Sequence, residues 1–243
     1  MLIVNADDWG RCREATDRSL ACYQNGRISS ASVMVFMEDS VRAAGLAREA
    51  GIDVGLHLNF SEEFTGPNVP ADIGRSHAKI RRFLKSSKYA LLLYHPFLQR
   101  EFRSVVQAQL QEYATLFGEA PSHIDGHQHM HLCSNMLLQE LIPSGSRVRR
   151  SFSFRRGEKG RLNRAYRSWV DRRLARRHRL VDYFFALSSN HSRSGLAKVT
   201  QLAEGSVVEL MAHPQVKAEY DCLMSREYEE AIAGVSVGGH SLV

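Results

Sequence analysis

Cysteine is scarce in this 243-residue chain and poorly placed for chemistry. Cys12, Cys22, Cys133 and Cys222 form no Cys-x-x-Cys pair, which excludes a zinc knuckle and a disulfide framework; they read as reduced, small apolar side chains. Prolines number only six, and no stretch rich in Pro, Gly or Ser divides the chain, so a linker between two domains is not expected. No internal repeat is present, which argues against a solenoid. No run approaches the roughly 18 consecutive apolar residues needed to span a bilayer. The opening MLIVNADD lacks the basic start and small-residue cleavage site of a signal peptide, so a cytoplasmic location is expected.

Acids are nearly missing from one segment. Between Arg147 and Arg179 stand 14 Lys/Arg against Glu158 and Asp171, a balance of +12; with a whole-chain charge of +6, the remainder carries 6 − 12 = −6. The body of the chain is mildly acidic and one segment makes it basic. With 44% hydrophobic and 24% charged residues, the composition is that of a globular chain, and the length suits one well-buried domain over residues 1–243.

Short β-like runs alternate with helical patterns. The runs are Leu2–Ala6, Ile28–Phe36, Asp53–Phe60, Ser122–Asp125, Val148–Phe152, Leu180–Leu187 and Val207–Ala212. Helical stretches fall near 13–25, 38–50, 98–117, 134–142, 161–179, 194–204 and 224–234, and Gly26 and Gly51 sit where helix C-caps belong. This alternation predicts a parallel α/β sheet with crossover helices, either a deformed or incomplete (β/α) TIM-type barrel or a doubly wound open sheet. Residues 66–96 break the rhythm and read as an insertion between a strand and the next long helix, where substrate pockets are often shaped.

Acids and histidines gather at the C-terminal ends of the apolar runs. Asp7 and Asp8 follow the first; His57 lies in Gly55-Leu56-His57-Leu58; His123, Asp125, His127, His129 and His131 crowd one segment; His213 closes the last run. In a parallel α/β protein these ends share one face, where active sites form. Adjacent acids are also common at helix N-caps, and a lone histidine can be a satisfied core residue. Four histidines within nine residues are costly without a metal or an acidic partner. His77, His95, His178, His191 and His240 lack such context and read as ordinary surface or loop residues. A carboxylate with two neutral imidazoles can hold a divalent metal, a second carboxylate can act as general base and a further histidine as general acid. Metal-assisted hydrolysis is the chemistry this equipment serves.

The motifs NADDWG, GLHLNF, HIDGHQHMH and ELMAHP, in this order from Met1 to His213, resemble those of the YdjC-like carbohydrate deacetylase family, which includes chitooligosaccharide deacetylases. The resemblance implies a deformed barrel of the glycoside hydrolase/deacetylase type and metal-dependent removal of acetyl groups from N-acetylated sugars. By motif position it implies Asp8, His57 and His127 as metal ligands and Asp7 as general base. His213 is then the acid, by analogy with other metal-dependent sugar deacetylases. Asp125, His131 and His129 follow as residues supporting the ligands or contacting substrate. It implies one divalent cation, described in the family as magnesium, although one carboxylate and two histidines suit zinc better. A homodimer is also in keeping with the family. Chitooligosaccharide deacetylases of this family carry three consecutive histidines in the third motif, which Gln128 interrupts here. The alternatives are a metal-dependent phosphoesterase and a non-catalytic sugar- or lipid-binding module.

The basic segment lies outside these motifs. Over 161–179, Leu162, Ala165, Tyr166, Trp169, Val170 and Leu174 recur at helical spacing with arginines on the other faces. A barrel-wall helix with a solvated basic exterior is the first expectation. An anionic membrane surface or a lipid-linked sugar is the second. No nucleic-acid-binding motif accompanies the charge, and nucleic acid is not an expected partner.

Overall fold

In the computed structural model, which describes residues 1–154 and 158–243, the strand Leu2–Trp9 (β1) is buried along all eight residues. A strand covered on both faces is mostly apolar, as in parallel sheets, and β1 departs from this only at Asn5, Asp7 and Asp8. Around it stand Ser30–Val33 (β2), Asp53–Leu58 (β3), Ile124–Gly126 (β4), Tyr183–Ala186 (β5) and Val208–Ala212 (β6). They form one sheet in the order β4-β3-β2-β1-β6-β5, every pair parallel, curved as a half-barrel with the helices outside. The α/β barrel-like expectation holds, and the doubly wound sheet is set aside.

Among the described residues the helices are Arg13–Gln24 (α1), Ser40–Ala50 (α2), Ala71–Lys85 (α3), Gln99–Phe117 (α4), Ser134–Gln139 (α5), Arg161–Leu174 (α6), Leu187–Asn190 (α7), Arg193–Gly205 (α8), Lys217–Leu223 (α9) and Arg226–Ile232 (α10). None is long and apolar enough to cross a membrane. The expected insertion holds a 15-residue helix, α3, whose His77, Ile80 and Leu84 are buried. His77 is therefore no surface residue. It sits on the apolar face of α3, stacked on Phe64 with ring centroids 3.9 Å apart.

The expected strand Val148–Phe152 is extended but makes only isolated bridges, Ile124 with Val148 and Arg147 with Arg179. Its neighbours give it little to pair with. β4 leaves the sheet after three residues, and β5 begins only at Tyr183. The segment nevertheless spans the gap between the two edge strands, with Arg149 N–H donating to the Ile124 carbonyl at 3.1 Å and Ser153 N–H to that of Phe184 at 2.9 Å. Arg155 and Arg156 of the basic segment lie outside the described residues.

The opposite end of the sheet is plugged by residues 236–243. Leu2 N–H donates to the Ser236 carbonyl at 2.8 Å, and Ser241 N–H to Asp53 Oδ2 at 2.8 Å. His240, expected at the surface, is buried and stacked on His123 at 3.7 Å, because its ring fills the floor of the half-barrel. His191 is exposed, and His95 and His178 are half-buried. The His123 ring needs a neighbour without a side chain: a Cβ on Gly55 would lie 2.3 Å from it.

Candidate active site

The strand ends meet at one mouth, and a break in β1 shapes it. Successive strand residues normally face opposite sides. Here the β1–β2 register shifts between Ala6 and Trp9, and Asp8 takes a left-handed φ of 66°. Such a bulge re-aims a side chain. Both carboxylates consequently reach the same imidazole: His57 Nε2 lies 3.3 Å from Asp8 Oδ1 and 3.9 Å from Asp7 Oδ2. A second tight turn follows β4, with Gln128 and His129 at φ 53° and 58°, and brings His127 Nδ1 to 2.9 Å from Asp8 Oδ1. Ligand atoms of Asp8, His57 and His127 all fall within 4.8 Å of one another, a grouping that can hold a metal ion.

Each of these imidazoles has a carboxylate on its far nitrogen. Asp125 Oδ1 stands 2.8 Å from His57 Nδ1, and Glu62 Oε2 stands 3.2 Å from His127 Nε2. Glu62 is held in turn by Arg11, whose Nε and terminal nitrogen donate to Oε1 at 2.9 and 2.7 Å. Carboxylates behind histidines fix the tautomer and aim of metal ligands. Gln215 Nε2 donates to Asp8 Oδ2 at 2.6 Å.

Below this layer lies a fully buried Arg149. It donates to both oxygens of Asp7 at 2.7 Å and to Glu209 at 2.6 Å, and it lies 2.6 Å from Asp125 Oδ2. Taking a guanidinium out of water costs several kcal/mol on its own. Here three carboxylates offset it. Asn5 and Ser32 complete the network, Asn5 donating to Asp7 and Ser32 to Asp125, each at 2.9 Å.

The charges bias each group. Burial, the largest single effect, would raise the Asp7 pKa; the charges of Arg149 and His57 with the Arg149 hydrogen bonds together outweigh it, and the net shift is downward. Burial acts likewise on Asp8, but hydrogen bonds from His127 and His57 hold it well below the usual carboxylate range. Burial opposes charge on His57, yet Asp125 and Asp7 carry its pKa up to about 10. The cluster thus calls for positive charge at its centre. A divalent cation meets that demand with one oxygen and two nitrogen donors, so the residues fit a metal.

His213 sits half-buried beside the mouth after β6. Its backbone N–H donates to Glu219 Oε2 at 2.8 Å, and its Nδ1 is 3.6 Å from Oε1. Burial would lower its pKa, but Glu219, Asp7 and Asp8 raise it. His129 and His131 stay apart from the cluster. His131 Nε2 meets the Arg149 carbonyl at 3.0 Å, and His129 packs edge-on against Phe152 with centroids 4.6 Å apart.

Sequence reasoning missed Arg149, Glu62, Arg11, Gln215 and Glu219. Arg149 did leave a signal, since it and Glu209 each lie inside an apolar run expected to be buried. Opposite charges in two such runs point to a pair, but the surrounding arginines made Arg149 look like part of a solvated face.

A model of the YdjC-like protein family matches residues 1–234. The chain belongs to the YdjC-like family. Over 139 residues it is 31% identical to a carbohydrate deacetylase of Danio rerio, covering 54% of this chain and 42% of that one. It is 32% identical over 137 residues to a chitooligosaccharide deacetylase of Serratia marcescens, covering 54% and 51%. A human carbohydrate deacetylase is 34% identical over 134 residues, covering 54% and 41%. The match spans about half the length of these relatives or less. Among solved structures, a protein from Enterococcus faecalis V583 described as a candidate cellobiose-phosphate cleavage protein superposes with a TM-score of 0.69 at 18% identity. That likeness covers 99% of this chain and 97% of the other, and it establishes the YdjC-like chain's fold over its whole length.

Proposed function

We propose that this protein hydrolyses the acetamide of an N-acetylated sugar, with a divalent metal ion as cofactor. The carrying observation is that a clamped carboxylate, Asp7, and a carboxylate-backed imidazole, His213, accompany the Asp8–His57–His127 group at one barrel mouth. The names of the relatives, carbohydrate and chitooligosaccharide deacetylase, support the reading.

Asp8, His57 and His127 would hold the ion, and their mixed donor set favours zinc or a similar transition metal over magnesium, which prefers oxygen donors. When bound, such an ion supplies Lewis acidity to water and to the acyl oxygen. The chain supplies the proton transfers. Asp7, kept ionised and oriented by Arg149, accepts the proton of the attacking water. His213, with Glu219 against Nδ1, keeps Nε2 for delivering a proton to the departing amine nitrogen. Without that proton the amine is a very poor leaving group. Asp125 and Glu62 hold the two imidazoles in place.

The test is acetate release from N-acetylated monosaccharides, chitooligosaccharides, and nucleotide- and lipid-linked N-acetyl sugars, each with added zinc or magnesium and with chelator. Metal-dependent acetate from any of them is the expected result. Phosphate release from phosphoesters, with no acetate from any sugar, would overturn it in favour of a phosphoesterase.

A further inference from the structure

A cavity of about 510 Å³ is lined by Gln128 and His129, the two residues that follow His127 in the chain. One bank is the 88–92 turn of the insertion, with Lys88 and Leu92, and the other is α6, with Tyr166 and Arg167. Both banks leave apolar side chains in water. Tyr89 is 58% exposed, Leu93 59%, Leu162 88% and Trp169 43%. On α6, Leu162, Tyr166 and Trp169 follow one another at i, i+4 and i+7, so they form one stripe, and the Tyr166 and Trp169 rings are 6.0 Å apart. The expectation that this stripe packs on the barrel wall holds in part at Tyr166, which is half-buried against the core, and fails at Leu162 and Trp169. Only Val170 and Leu174 are buried.

The charge around these apolar groups has one sign. α6 carries Arg161, Arg164, Arg167, Arg172 and Arg173 against Asp171, a balance of 5 − 1 = +4. Asp171 is already engaged by Arg150 at 2.8 Å and by the Ser151 N–H at 2.9 Å. Arg173 is shared with Glu140 at 3.3 Å, whereas Arg167 donates to the neutral Asn163 Oδ1 at 2.9 Å and lies over the Phe154 ring. From Lys85 to Pro96 the insertion contributes Lys85 and Lys88 and no acid.

We propose that this face, the 88–93 turn with the outer side of α6, docks onto an anionic lipid bilayer and lies in its headgroup plane. Exposed aromatic and aliphatic side chains set among arginines are the pattern of interfacial binding. Charge complementarity selects this occupant over a second copy of the chain, because a two-fold interface through α6 would set its arginines against one another. Docked this way, the cavity lined by Gln128 and His129 lies against the membrane, which suits a sugar anchored there. The docking itself can be read without turnover, so it stands or falls apart from the deacetylase reading.

The experiment is co-sedimentation of the whole protein with vesicles of phosphatidylglycerol and phosphatidylcholine in equal parts, and with pure phosphatidylcholine, at low and high salt. Binding to the anionic vesicles at low salt is expected, with pure phosphatidylcholine weaker by about tenfold or more. Leu162→Ser with Trp169→Ser, and separately Arg164→Glu with Arg167→Glu, should each weaken the binding by about tenfold or more. All four side chains are at least partly in water, and an unchanged thermal midpoint verifies that the variants are folded. Folded protein that stays in the supernatant, or binding that survives both double substitutions, overturns the proposal. So does a dimer in sedimentation equilibrium that these substitutions dissociate, which would assign the face to a second copy.

Discussion

Arg149 and Asp7 are joined fork to fork, each terminal guanidinium nitrogen standing 2.7 Å from a different oxygen of the carboxylate. The pair fixes the plane of Asp7, and the same guanidinium gathers Asp125 and Glu209. One cation therefore orients the proposed proton acceptor and the carboxylate behind a proposed metal ligand.

Asp7→Asn keeps the size of the side chain but sets an NH2 against one Arg149 N–H in place of an acceptor; it should leave metal content unchanged while deacetylation falls by about 10²–10⁴-fold. Arg149→Lys cannot reproduce two parallel hydrogen bonds and should lower kcat more than KM. Arg149→Ala leaves buried carboxylates uncompensated and should cost about 3–5 kcal/mol of stability. Steady-state acetate release, elemental analysis and denaturant unfolding together check the three variants. Undiminished turnover in Asp7→Asn would remove Asp7 from its role.

Glu62 Oε2 stands 3.2 Å from His127 Nε2 and would act on a bound metal through that imidazole. Replacing it by Ala should weaken zinc binding by about 10–100-fold, with Glu62→Gln recovering part of the loss. Isothermal titration of metal into chelator-stripped protein reads this directly. Equal affinity in all three proteins would mean that Glu62 serves the substrate instead.

Gly55→Ala tests the floor of the half-barrel. The added methyl would meet the His123 ring at 2.3 Å, and that ring is confined by Ser32 on one edge and His240 on its face. Repacking of this kind should cost about 1–3 kcal/mol, visible as a lower urea midpoint with an unchanged slope.

His77 makes the fold acid-sensitive away from the site. Burial, with Arg81 nearby, lowers its pKa to about 4 from an ordinary 6.5. The unfolded chain thus binds a proton that the folded one refuses between those values. The contribution of His77 to stability is present in full above pH 6.5 and is lost as pH falls toward 4, by up to about 3 kcal/mol. His77→Leu should flatten that part of the stability curve, measured by urea unfolding at several pH values.

Much of this arrangement was legible in the chain. Asp7, Asp8, His57, Asp125 and His127 all stand at the ends of apolar runs, and parallel strands bring such ends together. The supporting groups were harder to see. Glu62 and Gln215 lie on connecting segments, where no period marks which side chain turns inward. Glu219 lies in the short helix α9, beyond the last motif, and shows its purpose only once folded against His213. His240 was misread for a related reason, since a polar tail that plugs a barrel floor has no apolar pattern to announce burial. The outer half of α6 shows the opposite limit, because its spacing fits a buried stripe and only tertiary placement shows Leu162 and Trp169 in water.

The kink at Asp8 has a mechanical side. Asp7 and Asp8 are chain neighbours, so their α-carbons are separated by one rigid peptide unit of about 3.8 Å. The reach between the Asp7 and Asp8 carboxylates is thus bounded by covalent geometry, rather than by how closely two loops happen to approach. A shift of β1 therefore carries both carboxylates together as a unit.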